Sequence, residues 1–275
     1  MNRKPKVAVI MSVYKSDNLD HFKEAVNSVL DQTYDAFSLF IWRDGEVPES
    51  IDNFLNELEF ESDVQVFRES QNRGLASALN ALIDKVVETD EFTYIARMDS
   101  DDISYSTRLS KQVSFMQENV DVDVLGTGCR EFGADFALDK KCLPQSHDEL
   151  VDFSVARCPF IHPSVMLRKA IFERSELRYP TNTDFTEDMG LWFLLLEAGF
   201  RFANLPDILL DYRLNDATLS RRRGIGKSLS EVRIRLKYML LLKRISFTNV
   251  AKVLSRLIFH VMPVSMVRVA YKNLR

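Results

Sequence analysis

Short apolar runs alternate with amphipathic helical patterns along the first 125 residues, and this alternation restricts the fold more than any other feature of the chain. The runs are rich in β-branched and aromatic residues and have polar flanks, which is typical of buried strands. Strands are predicted at 7–11, 37–42, 64–67, 94–98 and 122–125, and helices at 19–30, 50–58, 76–87 and 107–119. Regular alternation of strand and helix predicts an α/β fold, in which a mostly parallel mixed sheet is flanked by helices and ligands bind at the carboxyl ends of the strands.

Residues 126–220 are less regular, with five prolines and one clear helical pattern at 189–198 that Gly199 ends. We expect this stretch to complete one wall of a cleft. Beyond it the composition becomes basic and helical. The sequence therefore predicts a main domain at 1–215 and a basic helical appendage at 216–275.

The formal net charge of -4 conceals a separation of charge along the chain. Residues 221–275 contain 14 Lys and Arg against one acid, Glu231, so of the 36 bases and 40 acids in the whole chain, 22 bases and 39 acids remain in the first 220 residues. The two parts therefore carry +13 and -17. Two helical patterns in the basic part place apolar positions on one face. These positions are Leu229, Val232, Leu236, Met239 and Leu240 in the first pattern and Val250, Val253, Leu254, Leu257, Ile258 and Val261 in the second.

Basic amphipathic helices of this kind favour binding to an anionic membrane surface, at about 1 kcal/mol for each base. The alternative is that their apolar faces pack on the main domain, or on a second subunit in a homodimer. Nucleic acid is not predicted as a partner, because the chain has no recognition motif and its acidic body would repel phosphate.

No segment of the sequence resembles a membrane span or a secretion signal. The longest uncharged run, the eleven residues between Arg256 and Arg268, is far shorter than the roughly 20 residues that a spanning helix needs. The apolar run at 7–11 is too short for a signal sequence. Cys129, Cys142 and Cys158 are odd in number and lack the close pairing of a zinc site. We therefore expect a cytoplasmic protein with reduced thiols.

Three carboxylates, Asp99, Asp101 and Asp102, follow the predicted strand at 94–98, at the edge of the sheet where ligands bind. Carboxylates this close raise one another's pKa unless a cation lies among them, and their hard oxygen atoms suit Mg²⁺ or Mn²⁺. Because these ions also bind phosphate oxygens, the cluster indicates a substrate that carries a diphosphate.

Other interpretations of the cluster are a solvated turn that caps the helix at 107–119 and a site of the haloacid-dehalogenase-like phosphatases. In such a phosphatase, Asp99 would be the nucleophile and Asp101 the acid and base. A calcium loop of the EF-hand type is excluded, because Ile103 and Ser104 occupy positions that need Asp or Asn and Gly.

When the amino-terminal motifs are added, the chain resembles the family 2 glycosyltransferases, which are inverting enzymes of the Rossmann-like GT-A fold. The motifs that carry this resemblance lie at 7–14, 28–34, 37–45, 71–80 and 97–103. Those at 71–80 and 97–103 are similar to the bacterial branch that builds exopolysaccharide, O-antigen and capsule. The resemblance covers about residues 5–215 and identifies this part as the catalytic domain.

The resemblance implies a role for each matching residue on the donor side. Tyr14 would offer an aromatic face and Ser12 a hydroxyl to the nucleotide base, and Asp44 would accept the imide N–H of uracil. Asp99 would contact the ribose and share with Asp101 the metal ion that bridges the diphosphate. Asp102 would assist these two residues or cap the next helix.

On the acceptor side, residues 186–192 resemble the acidic pair that opens a helix beside the acceptor. The resemblance makes Asp188 the general base, which deprotonates an acceptor hydroxyl opposite the leaving diphosphate, and Glu187 the residue that orients it. The local sequence alone also fits a plain helix cap. His162 lies where the family begins the strand that lines the acceptor side, as a substrate contact or as a structural residue.

Three positions differ from the family pattern. Arg43 precedes Asp44 where a second Asp is frequent, which weakens the expectation of a strict uridine preference. Asn215 stands where many relatives have a His, and its amide can coordinate a metal only weakly. Ser106 replaces a usual Pro, and we expect little effect from this change.

Taken together, the resemblance implies an inverting transferase, dependent on Mn²⁺ or Mg²⁺, that moves a hexose from a UDP-sugar to a lipid-diphosphate-linked saccharide in bacterial surface polysaccharide synthesis. We expect it on the cytoplasmic face of the inner membrane, held peripherally by the basic helices. The alternatives are the phosphatase and a catalytically silent, membrane-associated assembly protein.

Overall fold

A computed structural model describes residues 4–182, 186–214 and 225–261, with side chains from 231 to 255 in the last of these ranges. Eight strands lie in these ranges: β1 Val7–Val13, β2 Phe37–Asp44, β3 Val64–Glu69, β4 Tyr94–Arg97, β5 Ile103–Ser104, β6 Val124–Phe132, β7 Met166–Arg168 and β8 Phe202–Arg213. The helices are α1 Leu19–Leu30, α2 Glu49–Leu58, α3 Leu75–Val87, α4 Arg108–Glu118, α5 His147–Ser154, α6 Glu187–Glu197, α7 Ile225–Leu241 and α8 Phe247–Val261. Short 3-10 turns occupy His162–Ser164 and Lys169–Glu173.

The described strands form one sheet in the order β3-β2-β1-β4-β7-β6-β8-β5. Strand β1 is parallel to β2 and to β4, and β3 is parallel to β2. Strands β6 and β8 are also parallel, whereas β7 runs antiparallel to β4 and β6, and β5 antiparallel to β8. The prediction of an α/β fold with a mostly parallel mixed sheet flanked by helices is confirmed.

Helices cover both faces of this sheet, and β1 shows how the sequence brings this about. Val9 and Met11 belong to the apolar core beneath α1, α2 and α4, whereas Ala8 and Ile10 belong to the core beneath α3, α5 and α6. Successive side chains of a strand point to opposite faces. A continuous apolar run therefore marks a strand that is buried on both sides.

The second half of the chain is more regular than its sequence predicts. Strand β8 is twelve residues long although it contains Pro206. Its pairing with β6 shifts between Thr127, opposite Leu205, and Gly128, opposite Ile208. Proline has no N–H to donate to the sheet, and the irregularity places it where no such bond is needed. Helix α5 is also absent from the prediction, although Ser146 and Glu149 form a capping box at its start.

Helix α7 packs on the catalytic part of the chain. Tyr238 stacks on Phe193 of α6 with 4.5 Å between the ring centroids. Val232 and Met239 are buried in a small apolar cluster with Val155 and Val253. Both basic helices are therefore confirmed as helices, and the apolar face of α7 follows the alternative prediction of packing on the main domain. The side chains of Leu229, Leu257, Ile258 and Val261 lie outside the described residues.

In the ranges described above, no helix has the length and apolar character needed to cross a bilayer.

Candidate active site

The carboxyl ends of β1, β2 and β4 meet at one edge of the sheet because these neighbouring strands are parallel. Val13 lies opposite Arg43 in the register of β1 and β2, and Ile10 lies opposite Arg97 in that of β1 and β4. Asp44 is the last residue of β2, and the loops that follow β1 and β4 carry Tyr14 and the acidic cluster. The topology therefore brings together three of the sequence motifs.

The acidic cluster is compact. One carboxylate oxygen from each of Asp99, Asp101 and Asp102 lies within 4.8 Å of the others. Burial, followed by the charges of Asp99 and Asp17, raises the pKa of Asp101 to about 6. Burial and the charges of its two neighbours also raise the pKa of Asp102 well above its ordinary value. The cluster thus carries more negative charge than its surroundings neutralise.

Asp102 is fully buried and joins the cluster to the end of β8. Its Oδ1 accepts the backbone N–H of Arg213 at 2.8 Å, while its Oδ2 has no hydrogen-bond partner among the described residues. The Arg213 Nε donates to the backbone carbonyl of Asp101 at 2.7 Å, and an Nη donates to Glu24. Asp102 therefore anchors the acidic loop on β8 and does not cap α4. Asn215 lies outside the described residues.

Arg97 lies beneath the cluster, with 2% of its side chain exposed, and forms an ion pair with Asp99. Its Nε and Nη1 have no hydrogen-bond partner among the described residues. A buried guanidinium with free donors is costly and marks a position that a ligand or a bound water can complete. Arg97 belongs to one of the motifs found in the sequence, but no role was predicted for it.

On the donor side, Asp17 links the loop after β1 to the acidic loop. Its Oδ2 accepts the backbone N–H of Tyr14 at 3.0 Å and the hydroxyl of Ser100 at 2.9 Å. Ser12 and Tyr14 are both partly exposed at this edge. Of the two residues predicted to contact the base, Ser12 therefore lies near the end of β1 and Tyr14 lies in the loop that Asp17, for which no role was predicted, fixes beside the cluster.

Asp44 is buried at the end of β2 and holds the neighbouring loop. Its two carboxylate oxygens accept the backbone N–H groups of Arg73 and Gly74 at 2.8 and 2.9 Å. Gly45 has a φ of 83°, and a Cβ there would come within 2.6 Å of the backbone nitrogen of Asn72. The motifs at 37–45 and 71–80 are thus in direct contact, and each helps to fix the conformation of the other. The role of Asp44 toward uracil stays a prediction.

On the acceptor side, Glu187 and Asp188 form the first turn of α6. Asp188 Oδ1 accepts the backbone N–H of Met189 at 2.6 Å, and the Cys158 thiol donates to its Oδ2 at 3.5 Å. Burial, followed by the charge of Asp188, raises the pKa of Glu187. An ionised carboxylate at a helix N-terminus is favoured by the helix dipole. The arrangement places Glu187, whose carboxyl has a raised pKa, beside a second acid in the first turn of α6.

His162 and Tyr179 lie between the acidic cluster and α6. The His162 Nε2 and the Tyr179 hydroxyl are 2.9 Å apart, and the Trp192 ring meets His162 edge on. Burial, reinforced by the charge of Arg97, lowers the pKa of His162 well below its ordinary value, so the ring is neutral. The Tyr179 hydroxyl interacts electrostatically with Arg97 and with acids of both groups, Asp99 and Asp188 among them. Tyr179 and Arg97 therefore connect Asp99 of the acidic cluster with the two acids that open α6.

Four residues of this site come from separate segments that no local motif connects: Asp17, Arg97, Cys158 and Tyr179. An apolar strand that contains an arginine directly before an acidic cluster was the one signal in the sequence that could have identified Arg97.

Comparison with known proteins gives a consistent result. The family model described as Glycosyl transferase family 2 matches residues 8–173. The amylovoran biosynthesis glycosyltransferase AmsE of Erwinia amylovora is 29% identical over 97% of this chain and 98% of its own length. The UDP-Gal:alpha-D-GlcNAc-diphosphoundecaprenol beta-1,3-galactosyltransferase of Escherichia coli is 28% identical over 98% of this chain and 96% of its own.

Among solved structures, the chain is similar to residues 1–349 of S. aureus TarS in complex with UDP-GlcNAc, with a TM-score of 0.65 and 16% identity. This similarity covers 93% of the present chain and 72% of the TarS chain. At such low identity it supports the fold alone.

Proposed function

The chain belongs to glycosyl transferase family 2, and from this membership we propose that it transfers a hexose from a UDP-sugar, with inversion, to a lipid-diphosphate-linked saccharide. It is a glycosyltransferase of the GT-A fold with relatives in polysaccharide biosynthesis. The donor and the acceptor are proposed because the galactosyltransferase relative is named for UDP-Gal and a diphosphoundecaprenol-linked sugar and aligns over nearly its whole length. The product would be a repeat unit of a bacterial surface polysaccharide.

The observation that carries the proposal is the acidic cluster at the carboxyl edge of the sheet. Three carboxylates converge there, Asp101 has a pKa of about 6, and a buried oxygen of Asp102 lacks a partner among the described residues. This donor set fits a hard divalent cation. Asp99 and Asp101 are the residues that would hold Mg²⁺ or Mn²⁺, with Asp102 fixing their loop from below. A bound ion of this kind neutralises the charge of a donor diphosphate and of the leaving group.

On the donor side, we assign the nucleotide to the loop that follows β1. The exposed face of Tyr14 would stack on the base, and Ser12 would lie beside it. Asp17 would keep this loop against the acidic cluster through its bonds to Tyr14 and Ser100. Asp44 would act on the base directly, or would hold the 72–74 loop that closes over it.

On the acceptor side, we assign the general base to Asp188. Its carboxylate takes the proton of the acceptor hydroxyl while the hydroxyl oxygen bonds to C1 of the sugar. The bond between C1 and the diphosphate oxygen breaks, and UDP leaves with the electron pair. Because attack and departure occur on opposite faces of the sugar, a donor with an α-linked sugar gives a β-linked product. Glu187 and His162 would contact the acceptor.

The phosphatase alternative is not retained, because the matching family and the aligned relatives are glycosyltransferases. The other alternative, a catalytically silent assembly protein, can be distinguished from a transferase by experiment. It predicts no binding of a UDP-sugar that depends on a divalent cation, whereas the transferase predicts both binding and turnover.

The test is transfer from a panel of nucleotide-sugars to a synthetic lipid-diphosphate sugar in the presence of Mn²⁺. We expect turnover with a UDP-sugar, a loss of at least about 100-fold in kcat for Asp188→Asn, and a loss of similar size or larger for Asp101→Ala. Asp139→Asn changes an exposed aspartate elsewhere and should keep full activity. Intact transfer in both site variants would overturn the assignment.

A further inference from the structure

The turn between α7 and α8 exposes a cluster of apolar side chains. Five of the seven large apolar side chains that are exposed within the described part of the chain lie between residues 240 and 254. These five form what we name the apolar turn: Leu240, Leu241, Ile245, Phe247 and Leu254. Phe247 is 91% exposed, so its ring protrudes and does not line a groove. Exposed apolar patches on a protein surface usually mark an interaction site.

The two helices that carry these residues are themselves packed, so the exposure is not that of helices detached from the protein. Tyr238 and Met239 of α7 and Val253 of α8 are buried on the other side of the same helices. Part of each predicted amphipathic face is thus used for packing, whereas Leu240 and Leu254, which belong to these faces, remain exposed together with the other residues of the apolar turn.

The backbone of the apolar turn is fixed by hydrogen bonds. The N–H groups of Lys243 and Arg244 donate to the carbonyls of Leu240 and Met239 at 3.1 and 3.0 Å, which closes the end of α7. Lys243 has a φ of 54°, a conformation in which glycine is usual. The Asn249 side chain then donates to the Arg244 carbonyl at 2.8 Å. The turn therefore presents its side chains in a defined arrangement.

The segment of the chain that forms the apolar turn carries bases and no acids. Lys237, Lys243 and Lys252 are exposed beside the apolar residues, and Arg244 pairs with Asp152 of α5. The sequence from 232 to 275 contains no Asp or Glu. Protruding apolar side chains surrounded by bases are the features that bind an anionic lipid surface.

We propose that the apolar turn inserts into the headgroup layer of an anionic membrane, with Lys237, Lys243 and Lys252 against lipid phosphates. This inference rests on the proposed function to the extent that a lipid-linked acceptor lies in such a membrane. It places the membrane contact at the end of α7, the turn beyond it and the start of α8, and leaves the buried part of the α7 face packed on the body. A second copy of this chain, whose body is acidic, is the competing occupant.

The experiment is co-sedimentation of the full chain with vesicles of phosphatidylcholine, with and without about a third of phosphatidylglycerol. We expect stronger binding to the anionic vesicles, because each base near the surface contributes about fivefold. The double variant Ile245→Ser, Phe247→Ser should bind at least about tenfold more weakly, since both apolar contacts are lost. Phe60→Ser is the matched control, because Phe60 is also 91% exposed but belongs to the loop after α2; its binding should equal that of the unchanged protein.

Three outcomes would overturn the proposal: unchanged binding of the double variant, an equal loss for Phe60→Ser, or a lower mass of the double variant than of the unchanged protein in lipid-free sedimentation velocity. The last result would assign the turn to a second copy.

Transfer to a short-chain acceptor in solution separates this proposal from the proposed function. If the unchanged protein transfers the sugar fully but the double variant still binds vesicles as well as the unchanged protein does, only the membrane contact is rejected. If the unchanged protein binds vesicles through the apolar turn but transfers no sugar, only the catalytic assignment is rejected.

Discussion

At the scale of single residues, the site combines groups that destabilise one another. Asp99, Asp101 and Asp102 lie close together, partly or fully buried, above an arginine with unused donors. Such a set of charges lowers the stability of the protein alone and is typical of sites that a ligand completes. The resulting loss in the free energy of unfolding should therefore be measurable in the protein without ligand.

The first prediction concerns pH. The native protein keeps the proton of Asp101 to about pH 6, whereas the unfolded chain loses it near the ordinary value of 3.8. The native state therefore binds more protons in this range, and without divalent cations the free energy of unfolding falls as pH rises from about 4 to above 6, by about 3 kcal/mol. Asp101→Asn should reduce this slope and stabilise the cation-free protein at pH 8.

Urea unfolding at several pH values in the presence of a chelator measures this effect. Addition of Mn²⁺ at pH 8 should raise the melting temperature of the unchanged protein and have much less effect on Asp101→Asn. Asp139→Asn should retain both the slope and the response to Mn²⁺. Identical slopes for the unchanged protein and Asp101→Asn would contradict this explanation.

The second prediction concerns the contact between the loops after β2 and β3. Gly45→Ala forces a left-handed backbone on alanine and brings its Cβ against Asn72, whereas Gly199→Ala has the same kind of backbone, with φ of 88°, and open space around the Cβ. We expect a loss of about 1–2 kcal/mol in unfolding free energy at Gly199 and about 1–3 kcal/mol more at Gly45. Calorimetric titration should also show weaker UDP binding in Gly45→Ala. Equal losses in the two variants would show that the loops are not in tight contact.

At the scale of helices and strands, the sequence predicted local structure well and long-range pairing poorly. Helix α1 has the predicted bounds, because its apolar spacing and its Asn18 cap are both local signals. Strand β8 was not predicted, because Pro206 and several polar residues interrupt its pattern, and the irregular pairing with β6 that tolerates them depends on another segment. For the same reason the acidic cluster could be found from the sequence, while its connection to Asp17 and Arg213 could not.

The third prediction tests the docking of α7. The Arg235 guanidinium is buried, donates to Glu231 at 2.8 Å, and donates to the carbonyls of Ser154 and Val155 at the end of α5. Arg235→Met leaves these buried acceptors without that donor, and we expect it to lower the unfolding free energy by about 3 kcal/mol. Arg233→Met, on the exposed side of the same helix, should change it by less than about 0.5 kcal/mol. Chemical denaturation that gives equal midpoints would show that α7 is not part of the cooperative unit.

At the scale of the whole molecule, we assign different functions to the acidic part and to the basic part of the chain. The acidic part contains the cluster that would hold a cation and a diphosphate, and the basic part contains helices that pack on the body through α7 and expose the apolar turn. The division into a catalytic domain at 1–215 and a basic appendage at 216–275 stays a prediction, as does a homodimer. The sequence could indicate the separation of charge, but which face of α7 is buried depends on the surface of α6 and α5.

We propose that this glycosyltransferase inverts the configuration of the sugar by using Asp188 as general base. The most direct measurement is the anomeric configuration, by nuclear magnetic resonance, of the product formed from an α-linked UDP-sugar and a lipid-diphosphate acceptor, with the Asp188→Asn variant measured in parallel. We expect a β-linked product from the unchanged protein, and we expect this product nearly to disappear with Asp188→Asn. An α-linked product, or a β-linked product formed at the same rate by the variant, would contradict it.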